Sequence, residues 1–158
     1  IFQCEVQFNA PSFQLYFAPE ILNYRSLNGE PELLNLHVKA ADEHLARLQQ
    51  QDFVRLVRTQ IAALLESSEV TLERVAEQLE ISPRNLRHQL NMADTSFQRL
   101  LNEHRRSLAK RLLARTEEEI SEIVYLTGFS EPSTFYRAFK RWEGTTPIEY
   151  RKRAKANK

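Results

Sequence analysis

Two short segments of the chain combine side chains that can read DNA bases with an apolar spacing that is typical of a helix. Leu86 and Leu90 predict a buried face in the first segment, and Phe135 and Phe139 predict one in the second. The polar residues around them then point to solvent. The side chains that we predict to contact base edges are Arg84, Asn85, Arg87 and His88 in the first segment and Ser133, Thr134 and Arg137 in the second.

These residue types predict noncovalent recognition of double-stranded DNA. Arginine can donate two hydrogen bonds to guanine, and asparagine can pair with adenine. Hydroxyl groups and lysines bind phosphates, and such contacts position a protein on the duplex without reading sequence. The predicted phosphate contacts are Ser82, Ser130, Tyr136, Lys140 and Arg141.

The two segments belong to a unit that occurs twice in the sequence. Four apolar residues of the first unit recur 48 positions later and two more recur 49 positions later, so the second unit contains one inserted residue. The matched residues are Leu72 with Ile120, Val75 with Ile123, Ala76 with Val124, Ile81 with Phe129, Leu86 with Phe135 and Leu90 with Phe139. Each unit predicts a short helix, a tight turn and a second helix, which together form a helix-turn-helix.

Residues that start or end helices support this assignment. Ser82 before Pro83 predicts the start of the second helix in the first unit. In the second unit, Gly128 predicts a left-handed residue at the end of the first helix, and Ser130 is predicted to cap the helix that runs to Trp142. Leucines between the units predict a helix of about five turns. The second helix of each unit carries the predicted base-reading residues, and we call these two the reading helices. If the linking helix separates them by about one duplex turn, one chain reaches two successive major grooves.

The charge distribution places polyanion binding in the second part of the chain. Residues 1–51 carry three basic and six acidic residues, a net charge of −3, whereas the remainder carries nineteen and fifteen, a net charge of +4. Five basic residues lie between residues 105 and 115, and five more lie between residues 151 and 158. A solvated helix face and a frayed terminus are the alternative interpretation of these clusters.

The first part of the chain predicts strands and then helix. Apolar residues alternate with polar ones at residues 2–8 and 13–17, which is typical of half-buried strands. After Pro31 the apolar residues follow steps of four and three, which predicts a helix with a narrow apolar stripe. The stripe consists of Leu34, Val38, Ala41, Leu45 and Leu48. It has two interpretations, packing on the strands of its own domain or contact between the chains of a homodimer.

The predicted fold class is mainly α, with two helix-turn-helix subdomains joined by a long helix and preceded by a small α+β remnant of an N-terminal domain. The predicted boundaries are residues 1–51 for that remnant, 52–68 for a connecting helix, 69–153 for the DNA-binding domain and 154–158 for a basic tail. Within the DNA-binding domain, the first helix-turn-helix takes residues 71–92, the linking helix 95–115 and the second helix-turn-helix 118–142.

Three stretches of the sequence resemble the tandem DNA-binding domain of the AraC/XylS transcription regulators. They are TLERVAEQLEISPRNLRHQL, SFQRLLNEHRRSLAKRLL and ISEIVYLTGFSEPSTFYRAFKRWEGTTPIEYR, and the resemblance covers about residues 70 to 152. More weakly, PELLNLH resembles the end of an effector-binding and dimerisation domain. The resemblance implies an activator whose C-terminal half binds promoter DNA and contacts RNA polymerase, and whose N-terminal half dimerises or binds a small-molecule effector.

The resemblance also bears on single residues. It implies base-reading positions at Arg84, Arg87 and His88 and at Pro132, Ser133 and Arg137, although Pro132 has no side-chain donor. Asp94 stands where related sequences usually have glycine, and we expect it to adopt the same left-handed backbone. The acidic run at residues 117–119 is predicted to lie at a helix N-terminus, where negative charge is favourable.

Other classes of function fit the sequence less well. The sequence contains neither a glycine-rich phosphate loop nor an HExxH motif, so we predict no enzyme, no cofactor and no metal site. His37 and His44 share a helix face, but we expect an exposed pair there. A helical module that binds another protein without reading DNA is the main alternative.

The remaining features concern compartment and completeness. The single Cys4 predicts no internal disulfide, and the longest aliphatic run, Ile61 to Leu65, is far shorter than a membrane span. We therefore expect a cytoplasmic protein that does not cross a membrane. Because the sequence begins at Ile1 and its only methionine is Met92, we expect a fragment of a longer chain.

Overall fold

The computed structural model describes residues 6, 8, 11–12, 14–24, 29–67 and 70–156. Within these residues a 3₁₀ helix at Pro19–Asn23 precedes seven α-helices. They are α1 (Pro31–Ser67), α2 (Leu72–Gln78), α3 (Pro83–Met92), α4 (Phe97–Arg115), α5 (Ile120–Leu126), α6 (Pro132–Glu143) and α7 (Pro147–Ala156). The chain divides into two compact units, Ile1–Ala41 and Asp42–Lys158.

The strands predicted in the first unit are wrong wherever the structure describes them. Residues 14–18 form no strand, and the side chains of Leu15 and Phe17 are 75% and 64% exposed. Alternating apolar residues form a stable strand only where neighbouring strands pair with it and a core receives its apolar face. The described residues offer neither, so the predicted α+β remnant is not supported. Residues 2–5, 7 and 13 of this prediction lie outside the described residues.

The prediction of two helices between residues 31 and 68 is also wrong, because α1 is continuous from Pro31 to Ser67. The residues around the expected break, 48–53, include neither proline nor glycine, and their glutamines favour helix. Later in the helix, Val57 and Ile61 are fully buried. The C-terminal part of α1 is thus part of the core of the second unit.

Two separate apolar cores confirm the predicted repeat. The first core, which defines lobe 1, consists of Val57, Ile61, Val75, Ala76, Leu86, Leu90, Leu100 and Leu101. The second, which defines lobe 2, consists of Ala109, Leu113, Ile123, Val124, Phe129, Phe135, Ala138 and Phe139. Since α4 supplies Leu100 and Leu101 to one core and Ala109 and Leu113 to the other, it links the lobes as predicted.

The turns of the two lobes are built in the same way. The N–H of Ile81 donates to the carbonyl of Ala76 at 3.0 Å, and the N–H of Phe129 donates to the carbonyl of Val124 at 3.0 Å. Each bond spans five residues and closes a Schellman-type helix end. The left-handed residue of the turn is Glu80 (φ 54°) in lobe 1 and Gly128 (φ 74°) in lobe 2. The prediction for Gly128 is confirmed.

The starts of the two reading helices differ. The Ser82 hydroxyl accepts a 3.1 Å hydrogen bond from the N–H of Asn85, which confirms this cap. The predicted cap at Ser130 is wrong, because Glu131 holds the N-cap position of α6 and makes no side-chain cap bond. The residue inserted in lobe 2 shifts the helix start by one position. Asp94, with φ 51°, has the expected left-handed backbone.

Helix α7 was not predicted as a separate element. It begins with a capping box, in which the N–H of Thr146 donates to the Glu149 carboxylate at 3.0 Å and the N–H of Glu149 donates to the Thr146 hydroxyl at 3.3 Å. The Tyr150 ring packs edge-on against Phe139, with 5.5 Å between ring centroids. Residues 154–156 of the predicted basic tail continue this helix, and residues 157–158 lie outside the described residues.

Candidate nucleic-acid interface

Helix α3 presents a polar surface on one side and the lobe 1 core on the other. Leu86 and Leu90 are buried in the core. The side chains predicted to read bases, Arg84, Asn85, Arg87 and His88, are all exposed. Ser82, a predicted phosphate contact, is exposed at the N-cap of the same helix. The helix thus has the two-sided arrangement expected from its leucine spacing.

Helix α6 repeats this arrangement in lobe 2. Phe135 and Phe139 are fully buried. The exposed residues are Pro132, Ser133, Thr134, Arg137, Lys140 and Arg141, together with Ser130 just before the helix. Tyr136 differs, because it is half-buried and packs edge-on against Phe135 with 6.1 Å between ring centroids. Its ring belongs to the lobe 2 core more than to the polar surface.

The exposed side chains of α3 have few competing partners. Arg87 Nη2 lies 3.7 Å from Glu73 Oε1 of α2, and both side chains are more than 60% exposed. Such pairs contribute about 0–1 kcal/mol. Asn85 accepts a 3.2 Å hydrogen bond from Gln89. In the described part of the chain, Arg84 and His88 have no hydrogen bond or ion pair. A ligand can therefore engage this face at low cost.

Arg105 of α4 fixes the turn before α6. Its Nη2 donates a 2.7 Å hydrogen bond to the carbonyl oxygen of Gly128, and its guanidinium carbon lies 4.7 Å from the centroid of the Phe129 ring. Burial lowers the pKa of Arg105, because removal from water disfavours the charged form. The position of α6 therefore depends on a side chain of α4, outside the helix pair α5 and α6.

Sequence reasoning missed this role of Arg105 and treated it only as part of a basic stretch. A signal was present, because Arg105 lies four residues from Leu101 and four from Ala109, both of which are buried. Helix geometry places residues at that spacing on one face. An arginine in line with core residues predicts a structural contact.

Glu143 fastens the end of α6 to α4. Its carboxylate accepts a 2.5 Å hydrogen bond from Arg106 and lies 3.2 Å from the ammonium of Lys110, and its side chain is only 10% exposed. Burial alone raises the pKa of Glu143, but hydrogen bonds and charge from Arg106 and Lys110 outweigh it, so the pKa falls below its usual value. The second reading helix is thus held at both ends by α4.

Lobe 1 has a comparable bridge. Glu103 of α4 accepts a 2.6 Å hydrogen bond from Arg58 of α1 and a 3.2 Å hydrogen bond from Arg99. The hydrogen bond from Arg58 contributes most to holding the pKa of Glu103 below its usual value. The C-terminal part of α1 is therefore joined to α4 by an ion pair as well as by the core.

The acidic run at residues 117–119 has two roles. Glu119 occupies the N-cap position of α5, but its side chain makes no cap bond. Glu117 instead forms an ion pair with Lys155 of α7, and the carbonyl of Glu118 accepts a 2.6 Å hydrogen bond from Arg151. The run thus anchors α7 in addition to placing negative charge at the start of α5.

The remaining predicted sites lie on α1. The side chains of the stripe, Leu34, Val38, Ala41, Leu45 and Leu48, are all exposed. His37 and His44 are exposed, and the described residues contain no group of three or more potential metal ligands. Among the described helices, none is long and apolar enough to cross a membrane.

Comparison with known proteins agrees with this geometry. A family model described as a helix-turn-helix domain matches residues 75–153. The ornithine utilization regulator of Pseudomonas aeruginosa is 30% identical over 152 residues, which are 96% of this chain and 44% of that protein. The chain therefore spans less than half the length of this curated relative.

Solved structures share the fold. The C-terminal domain of AraT, a response regulator from Geobacillus stearothermophilus, is 37% identical with a TM-score of 0.58, and the match covers 63% of this chain and 84% of that one. The DNA-binding domain of AdpA, a global transcriptional factor in complex with a target DNA, has a TM-score of 0.57 and is 24% identical. That match covers 67% of this chain and 95% of the AdpA domain.

Proposed function

Because the chain belongs to the AraC family of helix-turn-helix transcription regulators, we propose that it binds promoter DNA by inserting α3 and α6 into successive major grooves. The observation that carries this proposal is the matched pair of two-sided helices. α3 buries Leu86 and Leu90 in lobe 1, α6 buries Phe135 and Phe139 in lobe 2, and both helices expose arginine and small polar side chains. One continuous helix, α4, contributes to both cores and so links the two lobes that carry these helices.

Base reading is assigned to the exposed residues of the two helices. On α3 these are Arg84, Asn85, Arg87 and His88, and on α6 they are Ser133, Thr134 and Arg137. Guanidinium groups suit guanine and the asparagine amide suits adenine. The fold shared with the AdpA domain, which was solved in complex with a target DNA, supports DNA binding by this fold.

Phosphate contacts are assigned to the residues around these helices. Ser82, Ser130, Lys140 and Arg141 are exposed and can reach the backbone of the same duplex. Tyr136 is assigned only a hydroxyl contact, because its ring packs on Phe135. Contacts of this kind supply affinity that falls with added salt, whereas base contacts supply specificity.

The wider partners belong to the longer protein that the relatives represent. We assign to it activation of transcription through RNA polymerase and regulation by a small-molecule effector. The exposed stripe of α1 is assigned to a homodimer contact, since a heptad-like spacing of apolar residues suits helix pairing.

The experiment that tests DNA recognition is a salt series of fluorescence-anisotropy titrations. The probe is a duplex selected in vitro from a random-sequence pool by the wild-type chain. We expect Arg84→Glu and Arg137→Glu each to weaken binding at least 100-fold, because each places a carboxylate against DNA. The control, Arg55→Glu on α1, reverses an exposed charge in a pocket that includes Met92 at the C-terminal end of α3 but none of the base-reading residues, and it should weaken binding only slightly.

Failure takes a distinct form. If the chain selects no duplex, or if both reading-helix variants bind as tightly as Arg55→Glu, α3 and α6 do not read DNA. The helical surfaces would then be assigned to binding another protein. Circular dichroism spectra of all variants must match the wild type, which separates loss of contact from loss of fold.

A further inference from the structure

The C-terminal end of α1 contacts both lobes. Leu65 is half-buried and packs against the lobe 1 core, in which Val57 and Ile61 of the same helix are fully buried. Its side chain also lies beside Gly128, since a Cβ added to that glycine would stand 3.2 Å from Leu65 Cδ2. Because Gly128 belongs to the turn between α5 and α6, one leucine of α1 joins the lobe 1 core to the turn that precedes the second reading helix.

The matching turn of lobe 1 shows that a turn of this kind does not by itself require a glycine. Glu80 stands before Ile81 as Gly128 stands before Phe129, and its φ of 54° is also left-handed. Glu80 is exposed, so its side chain extends into solvent. A residue with a Cβ therefore fits the turn, although with strain. The difference at Gly128 is that the Leu65 side chain lies close to the place that a Cβ would take.

The contact of Leu65 adds a second connection between the lobes, beside the continuous helix α4. Compact units that share only a small interface are expected to move relative to each other. Here Arg58 of α1 donates a 2.6 Å hydrogen bond to Glu103 of α4, and Arg105 of α4 donates a 2.7 Å hydrogen bond to the carbonyl oxygen of Gly128. Both α1 and α4 contribute to the lobe 1 core. Two helices of lobe 1, themselves joined, therefore hold the turn before α6.

The relative position of α3 and α6 decides which DNA sites the chain accepts. We call the stretches of sequence that the two helices read the half-sites. One base pair inserted between them moves the second half-site by about 3.4 Å along the duplex and turns it by about 34°. We propose that Leu65 is a positioning residue that fixes α6 relative to α3, so that the chain accepts only one number of base pairs between its half-sites. This inference rests on the proposed function.

The test measures how strongly the chain discriminates between two spacings of the half-sites. Its probes are the duplex selected by the wild-type chain and the same duplex with one base pair inserted between the half-sites. Single-base substitutions locate the half-sites, because those read by α3 lose their effect in Arg84→Ala and those read by α6 lose theirs in Arg137→Ala. The readout is the ratio of the two dissociation constants of one variant. A partial loss of folded protein affects both constants equally and cancels in this ratio.

We expect a ratio of about 100 for the wild type, because the inserted base pair takes α6 out of register with its bases. Leu65→Ala removes the side chain that reaches Gly128, and the ratio should fall by about tenfold. Leu65→Met keeps the side-chain volume and should keep the wild-type ratio. The matched control is Val54→Ala, which truncates a half-buried side chain of the same helix and core about three turns before Leu65. It should also keep the wild-type ratio.

Three outcomes overturn the inference. Equal affinity of the wild type for both duplexes means that the lobes are not held at one separation. An unchanged ratio in Leu65→Ala means that α4 fixes the spacing without the contact to Gly128. An equal fall in Leu65→Ala and Val54→Ala means that packing throughout lobe 1 fixes it. Failure of the proposed function gives a different result, because Arg84→Glu and Arg137→Glu then bind the selected duplex as tightly as the wild type.

Discussion

Arg105 of α4 donates a 2.7 Å hydrogen bond to the carbonyl oxygen of Gly128, the left-handed residue that ends α5. The bond joins α4 to the turn between α5 and α6, and this turn determines the direction in which α6 starts. The same guanidinium lies over the Phe129 ring, and this ring is buried in the lobe 2 core next to the turn. The direction of α6 is therefore set by contacts with α4 as well as by the packing of α5.

Gly128 is expected to tolerate no side chain. Its φ of 74° strains any L residue by about 1–2 kcal/mol. In addition, an added Cβ would lie 3.2 Å from Leu65 Cδ2 and 3.3 Å from Arg105 Nη2. Gly128→Ala should thus lower the free energy of unfolding by more than the backbone strain alone, and urea unfolding measures this loss.

Gly144 provides the matched control. Its φ is 72°, but an added Cβ meets nothing within 4 Å. Gly144→Ala should therefore lower the free energy of unfolding only by the energy of the backbone strain. Equal losses for the two variants would contradict the role of the Arg105 and Leu65 contacts at Gly128.

The two serines before the reading helices are expected to differ. Ser82 accepts a hydrogen bond from the N–H of Asn85 at the start of α3, so Ser82→Ala should cost about 1 kcal/mol of unfolding free energy. Ser130 lies one residue before the N-cap of α6, and Ser130→Ala should change stability by less than about 0.5 kcal/mol. Thermal unfolding of both variants measures the two losses of stability. Equal losses would mean that Ser130 also caps a helix.

The repeat, the linking helix and the reading faces could be predicted from sequence because they depend on local periodicity. Leu86 and Leu90 specify a buried helix face whatever lies beyond it. The prediction that Ser130 caps α6 was wrong because the sequence alone does not fix the position of the inserted residue. Helix α7 was not predicted, although Thr146 and Glu149 fit the sequence pattern of a capping box. The basic residues that follow are equally typical of an exposed C-terminal tail.

The strand prediction failed for a different reason. Alternation at Leu15 and Phe17 is a local signal, but a strand also needs partners that are distant in sequence. The described residues supply no such partner, and both side chains are exposed. Arg105 was missed because its role depends on Gly128, which is 23 residues away and belongs to another helix pair.

Asp94 is expected to be a weak point of lobe 1. Its φ of 51° is left-handed, a conformation that glycine adopts without strain. Asp94→Gly should raise the unfolding free energy by about 0.5 kcal/mol, since relief of strain exceeds the added flexibility of the unfolded chain. Glu80 has the same left-handed backbone (φ 54°), so Glu80→Gly should also raise the unfolding free energy. A lower stability for Asp94→Gly in urea unfolding would show that the aspartate side chain makes a stabilising contact.

The ion pairs of Glu143 are expected to make stability depend on acid pH. A folded-state pKa below the usual value of 4.5 means that the unfolded chain binds this proton more readily. The contribution is therefore present above about pH 4.5 and is lost as the pH falls through the folded-state value. Glu143→Gln should be less stable than the wild type at pH 7, and the gap should narrow on acidification toward pH 3. Urea unfolding across this range measures the gap, with Glu43→Gln, an exposed position in the middle of α1, as the control. A gap that stays constant with pH would mean that Glu143 stabilises the end of α6 by packing and not by its charge.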